Sequence, residues 1–248
     1  MIKNRGFKCR KNIWEFIKQK YNDIVESRYG GSFLDALKNF EEISENHIRN
    51  GIKKFYEDER SRNQAWRSCK GALYEYAVFK YIENIIEKNE NLKGKIEVKM
   101  GDEVIENYKK QIAIENWSDI IPDVDILLVD KKENSVIAIL SCKTSLRERL
   151  TETAFWKREL EAKGKVGKIK LFFITTDKDE ELKIETNRYI ILHIIDYTFV
   201  TSTEKFEQLI KFYKEKYGKR EDFDQLIQKI KPIGEMEKLL QSFLLQIT

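Results

Sequence analysis

Three short strings in this chain combine residue types that can act on a phosphodiester. Pro122-Asp123-Val124-Asp125 opens an apolar run, Ser141-Cys142-Lys143 closes the next one, and Arg147-Glu148-Arg149 follows directly. A carboxylate is a hard oxygen ligand for Mg²⁺. The metal polarises a phosphate and lowers the pKa of its bound water. A lysine beside that metal can orient or help deprotonate the attacking water, or stabilise the charge of a pentavalent phosphate. Arginine donates two hydrogen bonds to guanine O6 and N7, and glutamate accepts from cytosine N4. The triplet therefore has the chemistry to read adjacent G·C pairs. Each string also has an ordinary reading: a Pro-Asp turn, a solvated strand-end lysine, and a charged first helical turn making i,i+4 pairs. The combination carries the signal, and it points to metal-dependent cleavage of DNA at a sequence that is read.

The elements that would position these residues follow from periodicity. Val124–Val129 and Ser135–Ser141 are apolar runs around the polar turn Asp130-Lys131-Lys132-Glu133-Asn134, which reads as a hairpin. Alternation puts Asp123, Asp125 and Leu127 on one face, and Ser141 and Lys143 on one face of the partner strand with Cys142 opposite. The hairpin thus brings an Asp and the Ser-x-Lys pair to one edge, with Asp123 and Asp125 both open as the metal ligand. A helix is predicted from about Arg147 to Lys163. Arginines at its start run against the macrodipole, which prefers acids there, and so favour an anionic partner. Lys95–Lys99, Ile169–Thr175 and Tyr189–Ile195 read as further strands.

Two more acids fit such a site. Glu75 shares a helical face with Val78, Phe79 and Ile82, where an acid is costly to bury unless paired or metal-bound; the alternative is an ordinary helix-end glutamate. Glu152 lies on the helix after Lys143, on the face of Trp156, and could supply the carboxylate that Ser141 lacks; the alternative is an exposed helix residue. Lys157, Arg158, Lys163, Lys165, Lys168 and Lys170, and separately Arg60, Arg62, Arg67 and Lys70, could contact phosphates or form solvated faces.

Glu75, Pro122-Asp123 and Ser141-x-Lys143 resemble the PD-(D/E)xK nuclease signature, with Ser in place of the usual second acid. The joined string Ser-Cys-Lys-Thr-Ser-Leu-Arg-Glu-Arg is similar to type II restriction endonucleases that cut sites with a CCGG or CC(N)GG-like core, the BsaWI- and EcoRII-like group. The Glu152-x-x-x-Trp156 pair resembles the Gln-x-x-x-Tyr element of related nucleases. The resemblance covers roughly residues 67–160. It implies a mixed β-sheet core flanked by helices and Mg²⁺-dependent hydrolysis of both strands of double-stranded DNA at a short palindrome. It also implies an acid on the following helix, Glu152, in place of the missing one. Asp123, Lys143, Glu152, Glu75 and Ser141 would be catalytic, and Asp123, Glu152 and Asp125 would serve the metal. Arg147, Glu148, Arg149, Lys70 and Arg67 would bind DNA. A palindrome requires a two-fold assembly with one site per strand, so a homodimer is expected and a tetramer is compatible. A structure-specific nuclease with the same core and a non-catalytic DNA-binding protein with a decayed site are the rival readings; Ser141 keeps the second in play.

The rest of the chain sets bounds. Its 248 residues are 41% hydrophobic and 35% charged, with a net charge of +4. That is enough for a sizeable core, and any basic surface must be local. Abundant Lys, Ile and Glu fit either a low-GC coding bias or a thermophile. An α/β fold is expected, with a helical region over 1–66, the nuclease core over 67–200 and a helical region over 201–248, in one compact unit. Cys9, Cys69 and Cys142 share no metal-ligand spacing and read as reduced thiols of a cytoplasmic protein. His193, in an apolar run, reads as a packed strand histidine. No signal peptide or membrane span is expected.

Overall fold

The computed structural model describes residues 9–114, 120, 124–146, 149–162 and 169–247, without the side chains of 103, 149, 160 and 244–247. The chain forms two compact units, residues 1–81 and 82–248. The helix Glu59–Lys88 runs across that division, so the expected boundary at 66/67 coincides with no break in secondary structure.

The first unit is helical. The helix Lys11–Tyr29 buries Ile13, Ile17, Tyr21, Ile24 and Val25 along one stripe, the spacing of an amphipathic helix. It ends at Gly30, whose φ of 56° is the left-handed geometry that glycine adopts without a Cβ penalty. A disulfide joins Cys9 to Cys69. This corrects the expectation of three reduced thiols; only Cys142, buried in the second unit, is free among the described residues.

The second unit holds a six-stranded mixed sheet in the order of the chain: β1 (Ile96–Met100), β2 (Ile126–Asp130), β3 (Ser135–Lys143), β4 (Lys170–Thr175), β5 (Tyr197–Val200) and β6 (Ile230–Pro232). β1, β2 and β3 are antiparallel neighbours. β3 through β6 are parallel. Every residue of β2 is buried, as expected of a central strand covered on both faces. Leu127, Val129, Ile139, Leu171 and Phe173 belong to one apolar cluster with Leu150 and Ala154 of the helix Arg149–Ala162 and with Leu209 and Tyr213. From the opposite face Phe172 stacks on Phe243 at 5.6 Å between ring centroids.

The predicted hairpin, the strand of Ile169–Thr175 and the helix after Lys143 are present. One expected strand is not. Tyr189–Ile195 lies mostly in the helix Glu185–His193, which buries Asn187, Arg188, Ile190, Ile191 and Leu192. Its β-branched residues favour a strand locally, but parallel β4 and β5 need a crossover segment between them. His193 is accordingly an exposed helix-end residue, its ring tilted against that of Tyr189 with 4.4 Å between centroids, and not a packed strand histidine.

Candidate active site

The site is built where β2 begins and β3 ends. Asp125 precedes the first residue of β2, and its backbone N–H donates to the Leu140 carbonyl at 3.2 Å, so it already sits on the hairpin ladder. Alternation puts it on the face of Leu127. Ser141 and Lys143 fall on the same face of β3 as Ile139, toward the helix Arg149–Ala162. Lys143 Nζ reaches both oxygens of Asp125, at 3.1 and 2.8 Å. The Cys142 backbone N–H donates to Asp125 Oδ2 at 2.7 Å. Both side chains are nearly sequestered, with 3% of Asp125 and 9% of Lys143 exposed. A pair this buried carries a desolvation cost that only close pairing and hydrogen bonding offset.

Ser141 Oγ lies 3.5 Å from Thr153 Oγ1. Thr153 thus takes the position that faces Ser141, while its neighbour Glu152 is exposed on the same helix. Asp123, Arg147 and Glu148, together with Lys163, Lys165 and Lys168, lie outside the described residues, as does the side chain of Arg149. Glu75 is half-buried in the first unit. Arg67 lines a cavity of about 630 Å³ with Glu59, Arg60, Asn63 and Gln64.

Two basic residues read as DNA contacts are engaged internally. Lys70 is buried and donates to Glu41 and Glu45 at 2.6 and 2.7 Å. Burial pushes the Glu45 carboxyl up, but hydrogen bonds from Lys70, Arg49 and Trp66 outweigh it and hold it down at about 2. Lys157 is buried and pairs with Asp196 at 2.8 Å. Neither side chain is presented to solvent, which does not fit a phosphate contact.

β3 and β4 run parallel with Lys143 opposite Thr175, so their C-terminal ends share one edge. Sequence reasoning missed the polar turn that follows β4 there. Asp177 is buried; desolvation raises its carboxyl to about 7, although it accepts from the Leu182 N–H at 3.1 Å. Thr176 Oγ1 donates to the Thr144 carbonyl, and Glu181 accepts from the Leu146 N–H. The available signal was an acid-rich stretch directly after an apolar strand.

A buried carboxylate at a strand entrance, with a lysine ammonium on it, suits a hard cation and an anionic substrate. Among the described residues no cluster of three or more potential ligands stands. Among the described residues, the carboxylate hydrogen-bonded to Lys143 is that of Asp125, and Asp123 stands two positions earlier in the chain.

Comparison with known proteins agrees with this geometry. Residues 104–226 match the family model of the BsaWI type 2 restriction endonucleases. MjaVIP, a candidate type II restriction enzyme of Methanocaldococcus jannaschii, is 28% identical over 172 residues, covering 62% of this chain and 75% of the relative. HpyAORF263P, another candidate type II restriction enzyme, from Helicobacter pylori, is 39% identical over 66 residues. That match spans 27% of this chain and about a third, 34%, of the relative. The PspGI restriction endonuclease in its complex with substrate DNA has the same fold, with a TM-score of 0.59 at 15% identity over 93% of both chains. The family match contains the Asp125–Lys143 pair, and together these likenesses support a type II restriction endonuclease.

Proposed function

We propose that the chain hydrolyses both strands of double-stranded DNA at a short palindrome with a CCGG-like G·C core, using Mg²⁺, as a homodimer. The observation that carries this reading is the buried Asp125–Lys143 pair at the mouth of the β2–β3 hairpin, a few residues before Arg147-Glu148-Arg149.

Asp125 and Asp123 are the carboxylates that would hold the metal, with Glu152 as a supporting acid. The bound ion supplies Lewis-acid polarisation of the phosphate and a more acidic water. Lys143 would orient the attacking water or offset charge that grows on the phosphate oxygens. Asp125 fixes its ammonium in place, so little reorganisation accompanies the reaction. Ser141 and Thr153 supply hydroxyls beside the lysine. Arg147, Glu148 and Arg149 read the bases, and Arg67 contacts the backbone. Lys70, tied to Glu41 and Glu45, drops out of that set.

The test is incubation with phage DNA, with Mg²⁺ or with chelator, followed by sequencing of fragment ends. Discrete metal-dependent fragments with a common G·C-containing end are expected. A smear would point to a nuclease that reads DNA structure, and salt-sensitive binding without cutting would leave a binding protein.

A further inference from the structure

Lys143 is the last residue of β3, and its partner Thr175 is the last residue of β4. The ladder that aligns these two strands therefore ends on the rung of the lysine. Directly after it the chain bends at Thr144. The ends of elements open most readily, so a side chain on the last rung stays in one place only if the strand exit is tied. The tie comes from the chain that leaves β4. Thr176 Oγ1 donates to the Thr144 carbonyl at 3.2 Å, and a side chain thus carries the cross-strand pairing past the last rung.

Thr176 is itself anchored on both sides. It is buried. The Thr175 carbonyl, just before it, accepts from the Thr201 N–H at 2.9 Å and from the Thr201 hydroxyl at 3.4 Å. Thr175 Oγ1 accepts from the Asp177 N–H at 2.9 Å, just after it. The Asp177 carboxyl in turn accepts from the Leu182 N–H at 3.1 Å. Lys143 is held at both ends of its side chain: Asp125 takes the ammonium at 2.8 Å, and the β4 exit fixes the backbone from which it springs.

We infer that Thr176 is a positioning residue for Lys143: its hydroxyl fixes the exit of β3 and so keeps the lysine ammonium where the reaction uses it. This rests on the role proposed above for Lys143. Thr176 acts through the strand and not on the reacting atoms. A misplacement of about 1 Å caused by a change away from the chemistry costs up to about 10²-fold in rate, so a looser strand end is felt at the ammonium.

The experiment compares the parent with Thr176→Val, which removes the hydroxyl at nearly constant volume, and Thr176→Ser, which keeps it. Single-turnover cleavage at saturating protein isolates the chemical step. The Kd for the same DNA is measured in chelator. Amide exchange is followed at Cys142, whose N–H donates to Asp125 Oδ2 at 2.7 Å, and at Leu128 in β2 as a control. In the Val variant the cleavage rate should fall about 10-fold with Kd unchanged, and Cys142 should exchange faster while Leu128 does not. Ser should restore both. Thr176→Ala makes the same comparison should Val not fold. A folded Val or Ala variant that cleaves at the parent rate overturns the proposal. So does a Ser variant as slow as Val, or a loss of rate matched by a loss of DNA affinity. A parent that does not cut DNA overturns the proposed function and this role with it. A cutting parent with an unmoved Val variant removes only the role of Thr176.

Discussion

At the scale of single residues, the proposed catalytic role of Asp125 and Lys143 is tied to folding. Their pair is buried and close, so removing one partner leaves an uncompensated charge. Lys143→Ala should lower cleavage by at least about 10²–10³-fold and also cost about 3–5 kcal/mol of stability. Adding Asp125→Asn should recover much of that stability without recovering cleavage. Urea unfolding and single-turnover assays separate the two; full stability in the single variant would show that the pair is not strained by burial. Asp177 makes a second prediction. Desolvation raises its carboxyl to about 7, with Glu180 adding to the rise and Lys205, Lys183 and the Leu182 N–H opposing it. Between about pH 4 and 7 the folded chain keeps a proton that the unfolded chain has lost. Stability contributed by this group therefore falls as pH rises through that window. Asp177→Asn, which retains an acceptor for Leu182, should flatten this part of the stability profile. A parent profile that is already flat, or a variant with the same slope, would contradict the assignment. Lys143 was legible because strand ends and lysines announce themselves in sequence, whereas Asp177 was not, because its chemistry comes from burial by residues distant in the chain.

At the scale of elements, the hairpin that carries the site is pinned from outside. Gln111 Oε1 accepts from the Val136 N–H at 2.7 Å, and its Nε2 donates to the Asn134 carbonyl at 2.9 Å. Both contacts lie next to the irregularity where Val129 pairs with Val136 but Leu128 with Ala138. A slip by one residue would turn Lys143 to the other face. Gln111→Ala should therefore cost about 1–3 kcal/mol, the price of leaving a sheet N–H unsatisfied, and lower cleavage in parallel; denaturation midpoints that stay at the parent value would show the clamp to be dispensable. The helix after Lys143 poses a different question, since it turns Thr153 toward Ser141 and exposes Glu152. If Glu152 serves the metal, Glu152→Gln should sharply raise the Mg²⁺ concentration for half-maximal cleavage, and an unchanged metal titration would leave Asp123 and Asp125 as the carboxylates. The pattern of an apolar run bounded by polar residues made β2, β3 and β4 readable. It failed over Tyr189–Ile195 because an apolar run is compatible with a buried helix as well as a strand, and the need for a crossover between parallel strands decides between them.

For the whole molecule, the sequence located a mixed sheet between helical regions, yet its expected partition differs from the two units seen. The reason lies in the helix Glu59–Lys88, whose continuous periodicity conceals the change of unit along it, and in β6, which brings residues 230–232 into the sheet. The Cys9–Cys69 disulfide was equally hidden, since its partners are 60 residues apart and carry no motif. It stays within the first unit, and closing a loop of that length restricts the unfolded chain by up to about 4 kcal/mol. Reduction with dithiothreitol should therefore destabilise the helical unit selectively. Hydrogen exchange is the measurement that resolves it: amides of buried Leu73, Ala77 and Val78 should exchange faster after reduction, while those of Leu140 and Ile174 in the sheet should not. Equal acceleration in both sets would mean that the two units unfold as one cooperative body. No acceleration in either would mean that the apolar stripe of Ile13, Ile17 and Tyr21 holds the helical unit together without the bond.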